Sequence, residues 1–210
     1  MKPVKRPGRE IDLVVSKKPE ARLAGHKSHE VRIIGGMWKR TKLKVADKPG
    51  LRPTPDRVRE TLFNWLGQDL SGWRCVDAFA GTGALGFEAA SRGAKDVQLV
   101  ENDKTLIAML EQVKAQLKAD AVQVLSGDGV GALKGLGEAS VDLIFIDPPF
   151  DSPFFEPALQ AAGRAIAPSG FVDLEAPVKW TDEALSSANL TVHRHLKAGA
   201  VHAHLLVRAA

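Results

Sequence analysis

The sequence predicts an α/β fold: a mostly parallel sheet with helices on both faces, closed by an antiparallel hairpin and preceded by a small basic extension. Three observations predict it. From residue 73, apolar runs at 73–79, 96–100, 121–125 and 141–146 alternate with helical stretches at 83–91, 103–118, 128–135 and 154–166, the βαβ rhythm of a parallel sheet. The end of the chain breaks that rhythm. After a strand near 170–175, residues 190–197 and 200–208 alternate in polarity and meet at Ala198-Gly199, which reads as a hairpin. Charge, finally, is lopsided: residues 1–59 carry 17 Lys/Arg against 6 Asp/Glu, while 60–210 carry 12 against 19.

In chain order, residues 1–28 are rich in Lys, Arg, Pro and Glu without apolar periodicity and read as a disordered tail. Residues 29–70 form the basic extension. Val31-Arg32-Ile33-Ile34 and Lys42-Leu43-Lys44-Val45 are two short strands joined through Gly35-Gly36-Met37-Trp38-Lys39-Arg40, and a loop at 49–53 follows. A helix then starts with Thr54 as N-cap, Pro55 in its first position and Asp56 in its first turn, with Val58, Leu62, Trp65 and Leu66 on one face. Residues 71–210 form the main domain.

At 210 residues and 44% hydrophobic, the chain can bury an ordinary core. No apolar stretch is long enough to span a membrane, and the basic N-terminus lacks the apolar core of a secretory signal. The single cysteine, Cys75, lies in a predicted strand; it reads as a core thiol rather than a nucleophile and fits a reducing, cytoplasmic compartment. The basic front on an acidic body points to a polyanion engaged from one side.

The chemistry is concentrated where predicted strands end. Val76-Asp77-Ala78-Phe79-Ala80-Gly81-Thr82-Gly83-Ala84-Leu85-Gly86 runs from strand through a glycine turn into a helix, and Glu101 follows Gly81 by 20 residues. Taken alone this is a dinucleotide fingerprint, and an NAD-dependent oxidoreductase is a rival reading. Asp77 argues against it, because a carboxylate beside the glycine turn repels a diphosphate but suits a cationic ligand. S-adenosylmethionine has that character: Glu101 takes the ribose hydroxyls, the glycines admit the methionyl portion, and Asp128 accepts from the adenine amine. Asp128 equally reads as a helix N-cap. The cofactor set is Asp77, Phe79, Ala80, Gly81, Gly83, Glu101, Asn102, Asp128 and Gly129. Asp147-Pro148-Pro149-Phe150 closes the fourth strand. Two prolines set two φ angles and remove two donors, so carbonyl acceptors and the Asp147 carboxylate face a neighbour beside a flat ring. A planar base with an exocyclic amine fits that turn, with Asp147, Pro148, Pro149 and Phe150 as the catalytic set.

Val31 to Arg40, Leu51-Arg52-Pro53-Thr54-Pro55-Asp56-Arg57-Val58-Arg59-Glu60-Thr61-Leu62-Phe63-Asn64-Trp65-Leu66, the Asp77–Gly86 loop and the Asp147–Phe150 turn together resemble the ribosomal RNA small-subunit methyltransferase D family, from about residue 31 to the C-terminus. Pro55 and Asn102 depart from its common residues. The resemblance implies a Rossmann-like class I S-adenosylmethionine-dependent methyltransferase. It implies transfer to the N2 amine of one guanine, position 966, of 16S ribosomal RNA, within a small-subunit assembly particle. A non-catalytic RNA-binding module on the same fold is a third reading. Arg32, Lys39, Arg40, Lys42, Lys44, Arg52, Thr54, Arg57 and Arg59 are the candidate RNA contacts, chiefly for phosphate neutralisation. Trp38 either stacks on a base or anchors the hairpin. His193, His195, His202 and His204 alternate across the last hairpin. A turn at Ala198-Gly199 sets His195 against His202 and His193 against His204 on the wetter face; no metal and no membrane partner are expected, and a monomer is.

Overall fold

A computed structural model describes residues 30–44, 48 and 54–209. The tail 1–28, Val45 and the loop 49–53 with Arg52 lie outside the described residues. Strands β1 (Glu30–Arg32) and β2 (Lys42–Lys44) pair antiparallel, with Val31 opposite Leu43 and Arg32 opposite Lys42. Strand alternation turns Val31 and Leu43 inward and leaves Glu30, Arg32, Lys42 and Lys44 exposed. Helix α1 (Asp56–Leu66) buries Val58, Leu62, Phe63 and Leu66. The expected Thr54 cap is corrected. Pro55 holds the cap position with no side-chain bond, because Thr54 is buried with its hydroxyl on the Glu175 carboxylate.

The alternating region contributes β3 (Arg74–Asp77), α2 (Ala84–Ser91), β4 (Asp96–Glu101), α3 (Lys104–Leu117), β5 (Val122–Ser126), α4 (Gly129–Gly135), β6 (Val141–Ile146) and α5 (Phe155–Ala165). β7 (Ile166–Ala176), the short α6 (Asp182–Leu185), β8 (Leu190–Ala198) and β9 (Val201–Arg208) complete the chain. They build a seven-stranded sheet in the order β5-β4-β3-β6-β7-β9-β8, parallel from β5 to β7, with β9 antiparallel to both its neighbours. The chain winds outward from β3 in both directions, so the β3/β6 junction is the switch point where open α/β sheets bind ligands. Val31, Leu43, Phe63, Phe87, Leu143 and Phe145 share one face of the core, and Ile144, Leu159, Val172 and Leu206 the other. Among the described residues the basic extension therefore has no core of its own; it packs into that of the sheet.

One buried carboxylate docks it. Glu88, in the middle of α2, accepts the Ile34 and Gly35 amides at 2.7 and 2.8 Å and pairs with Arg92 at 2.7 Å and Arg59 at 3.6 Å. Trp38 is half-buried and packs on the same core, which is the anchoring alternative.

The last hairpin departs from expectation by one residue. Ala198 pairs with Val201, so Gly199 (φ 63°) and Ala200 make the turn and His195 faces His204. A bulge between Val192 and Arg194 turns His193 to the opposite face, its ring 6.2 Å from that of Phe171. One histidine also leaves the wet side, His193 being exposed and His195 and His202 half-buried. His204 is fully buried, because β9 lies inside the sheet and the backbone at Trp180 covers it.

Candidate active site

The carboxyl ends of β3, β4, β5, β6 and β7 open into a cleft of about 720 Å³. Asp77, Gly81, Glu101, Asp128, Asp147 and Phe150 all line it, together with Thr54 and Pro55 from the start of α1.

The glycine turn is built by close approach. Gly83 takes φ 75°, and a Cβ there would lie 2.7 Å from the Phe87 ring. A Cβ on Gly86 would fall 2.0 Å from Leu99, so α2 sits directly on β4. Asp77 is 2% exposed and accepts the Gly86 amide at 3.2 Å. Burial, with Glu101 and Glu175 adding repulsion, lifts its carboxyl to about 7. Among the described residues no cationic side chain relieves it; the site is electrostatically ready for a cation from outside.

Glu101 is held from below: Oε2 accepts the Gly81 amide at 2.9 Å, and Oε1 accepts those of Asn102 and Asp103, both at 2.9 Å. A carboxylate offers about four acceptor positions, which leaves one on Oε2 facing the cleft. Asp128 does cap α4, its Oδ1 accepting the Gly131 amide at 2.7 Å, and Oδ2 carries no such bond. Phe79 and Phe154 stack with centroids 6.1 Å apart beside Gly129 on the wall of the cleft. Phe154 escaped the sequence reading because its aromatic character was absorbed into the predicted helix 154–166; it stands instead at the N-cap of α5, 38% exposed. Lys48 reaches Asp103 at the other rim. A wide apolar slot with an acceptor at its end, a hydroxyl-binding carboxylate and an uncompensated acid for a positive group suit the three parts of S-adenosylmethionine; the uncompensated Asp77 beside the glycine turn opposes a diphosphate there.

At the next strand end, Pro148 is buried while Pro149 and Phe150 are exposed. The sheet register extends the site beyond the expected residues. Asp77, Phe145 and Asp173 form one row across β3, β6 and β7, on the same face. One pleat further out on that face come Asp147 and Glu175, just past the Ile146–Leu174 pair. Burial first, then Glu175 and Asp77, pushes the Asp147 carboxyl well above the usual range. Asp173 is raised likewise, and neither of its oxygens has a hydrogen-bond partner. Glu175, lifted to about 7 by burial, takes the Thr54 hydroxyl and leaves Oε1 unpaired. No local pattern marks Asp173 or Glu175; only the pairing of β7 with β6 brings them to Asp147.

Of the candidate RNA contacts, Arg32, Lys39, Arg40, Lys42, Lys44 and Arg57 are exposed, Lys42 in a 2.7 Å surface pair with Glu30. Two are corrected. Arg59 is wholly buried, donating to the carbonyls of Arg32 and Thr54 and to Asp56, so it docks the extension rather than meeting a polyanion. Thr54 is buried against Glu175 inside the cleft. Ligand nitrogens of His195, His202 and His204 lie within 4.8 Å of one another. Both nitrogens of His204 are engaged, however: Nε2 accepts the Trp180 amide at 3.1 Å and Nδ1 lies 3.3 Å from the Leu174 carbonyl. His195 Nε2 and His202 Nδ1 bond each other at 2.9 Å.

The family model described as conserved hypothetical protein 95 matches residues 31–207. The ribosomal RNA small subunit methyltransferase D of Escherichia coli K12 is 39% identical over 188 residues, 87% of this chain and 92% of that one. Its Haemophilus influenzae namesake is 45% identical over 133 residues, 62% of this chain and 69% of that one. Among solved structures, the Escherichia coli methyltransferase yhhF is 38% identical at a TM-score of 0.74, covering 87% of this chain and 99% of its own.

Proposed function

The chain belongs to the ribosomal RNA small-subunit methyltransferase D family, and from that premise we propose that it methylates the exocyclic N2 amine of a guanine, position 966, in 16S ribosomal RNA, with S-adenosylmethionine as donor. One observation carries the reading: the acidic Pro-Pro turn and Asp77, a buried carboxyl with no cationic partner among the described residues, line a single cleft suited to an amine and a cationic donor. The oxidoreductase alternative falls with the family. When bound, S-adenosylmethionine supplies an electrophilic methyl group on a sulfonium centre. Asp77, Phe79, Gly81, Gly83, Glu101, Asp128 and Gly129 are the residues that hold it.

The guanine N2 lone pair is delocalised into the ring, so the protein's task is orientation. Asp147 and the Pro148 carbonyl accept the two amine hydrogens and aim the nitrogen toward the Asp77 side of the cleft. Phe150 stacks on a base taken out of its own stack. Asp147 receives the proton released as the amine is alkylated; its raised proton affinity suits that role. The exposed cations of the hairpin and α1 neutralise RNA phosphates, on free RNA or within a small-subunit particle.

The test is tritiated-methyl transfer to unmodified small-subunit RNA, offered free and in assembled particles, with the product nucleotide mapped by mass spectrometry. Guanine N2 is the expected site. Asp147→Ala should lower single-turnover transfer by about 10²-fold or more while leaving cofactor affinity within threefold. Transfer within threefold of the parent chain would remove Asp147 from the mechanism, and methylation at another amine would overturn the substrate assignment.

A further inference from the structure

We propose that Glu175 selects guanine, its carboxylate accepting the N1–H of the base whose N2 amine Asp147 holds. The inference rests on the guanine reading above and deepens it. Its footing is geometric. Glu175 lines the cleft, is 2% exposed, and keeps a buried oxygen with no partner. The β6/β7 register sets it beside Asp147 on the same face, with backbones about 5 Å apart as in any sheet. The Thr54 hydroxyl lies against the carboxylate and restrains it, while Oε1 is buried without a partner.

The bases differ in what stands next to the amine. Guanine presents a donor, N1–H, one ring position from N2. Adenine presents the N1 acceptor beside its N6 amine, and cytosine the N3 acceptor beside N4. Two neighbouring carboxyls with Glu175 ionised are thus complementary to guanine alone; with either other base the charged Glu175 faces a lone pair. The preference therefore belongs to pH above about 7, where the acid that could donate to that lone pair has lost its proton. Discrimination by a buried group left unpaired reaches about 10⁴-fold in favourable cases. Burial favours the neutral acid in the unliganded cleft, and the N1–H donor favours the charged form once the base is in place.

The test replaces the target guanine with 2-aminopurine, which keeps the reactive amine but carries an acceptor at N1. The full chain should prefer guanine by about 10²-fold or more in kcat/KM. In Glu175→Gln the amide NH2 can donate to the 2-aminopurine N1, so the preference should shrink at least tenfold, by loss on guanine and gain on 2-aminopurine. 2-Aminopurine also lacks the O6 carbonyl, but that difference is the same for both enzymes, so the change in ratio reports what Glu175 itself reads on the N1/C6 edge. A ratio unchanged within twofold, with cofactor affinity intact, overturns the proposal. Should Glu175→Gln fail to fold, Thr54→Val frees the carboxylate and should lower the same ratio severalfold; no change there overturns it too. If the parent chain methylates adenine or cytosine instead, the function itself fails. If it methylates guanine but the ratio ignores Glu175, only this assignment does.

Discussion

Asp77 is an acid buried without a cation, and that makes it a pH sensor for the ligand. Its folded carboxyl titrates near 7 against 3.8 for a free side chain. In the unliganded protein the folded chain keeps a proton that the unfolded chain has released, so this group's contribution falls as pH climbs from about 4 to about 7 and is flat above. Binding a cationic donor reverses the preference, since the charged carboxylate then gains a partner. Cofactor affinity should therefore rise by up to about tenfold per pH unit below 7, then decline above about 8 as the donor's α-amino group loses its proton. Calorimetric titration at pH 5.5, 7.3 and 9 reads the expected bell. Glu101, Glu175 and Asp147 share the cleft, so Asp77→Asn is the control: it should weaken binding and remove the acid limb. An affinity that is flat within twofold on that limb in the unaltered chain would show that Asp77 does not meet the donor's positive charge.

The docking of the β1–β2 hairpin onto α2 depends on one charge. Glu88 is fully buried between Arg59 and Arg92, themselves 0% and 6% exposed. Glu88→Gln preserves volume but leaves the buried Arg92 guanidinium without its counter-charge, Arg59 keeping Asp56 at 2.6 Å, a change that costs about 3 kcal/mol or more. The melting temperature should fall by roughly 10 °C; a drop under about 2 °C would mean that water reaches the site. Such pairings explain what could be read from the chain and what could not. The βαβ alternation, the glycine turn and the Pro-Pro turn are local, and α2 through α5 lie within a residue or two of their expected bounds. β7 runs back to Ile166 because Pro168 and Gly170 punctuate the sequence without ending the strand; they sit at its irregular pairing with β6, between Val141 and Leu143. α6, a single turn, is too short to show a period. Arg59, Glu88 and Glu175 read as surface charges in one dimension. Their burial follows only from contacts 27 to 54 residues apart for the first two, and from strand pairing for the third.

At the scale of the whole molecule the cleft faces acids while the extension faces outward with cations. A polyanion must be met by the second without being repelled by the first. Arg32, Lys39, Arg40, Lys42, Lys44 and Arg57 are exposed on the hairpin and α1, none of them in the cleft wall. Each phosphate neutralised releases condensed counterion, with a slope of about −0.7 per contact for single strands and −0.9 for duplex. If all six engage, the logarithm of RNA affinity should fall against the logarithm of salt with a slope of about −4 to −5, a loss of about 10²–10³-fold between 50 and 200 mM. Lys42 already spends part of its charge on Glu30, which places the expected value toward the shallow end. The triple change Arg32→Ala, Lys39→Ala and Arg40→Ala should flatten the slope by about two to three units and weaken binding of every RNA alike. Cofactor affinity and the guanine preference should stay where they were, because neither depends on the outward face. An unchanged slope would place the RNA on another surface, and would leave the basic hairpin as a docked, solvated appendage to the catalytic sheet.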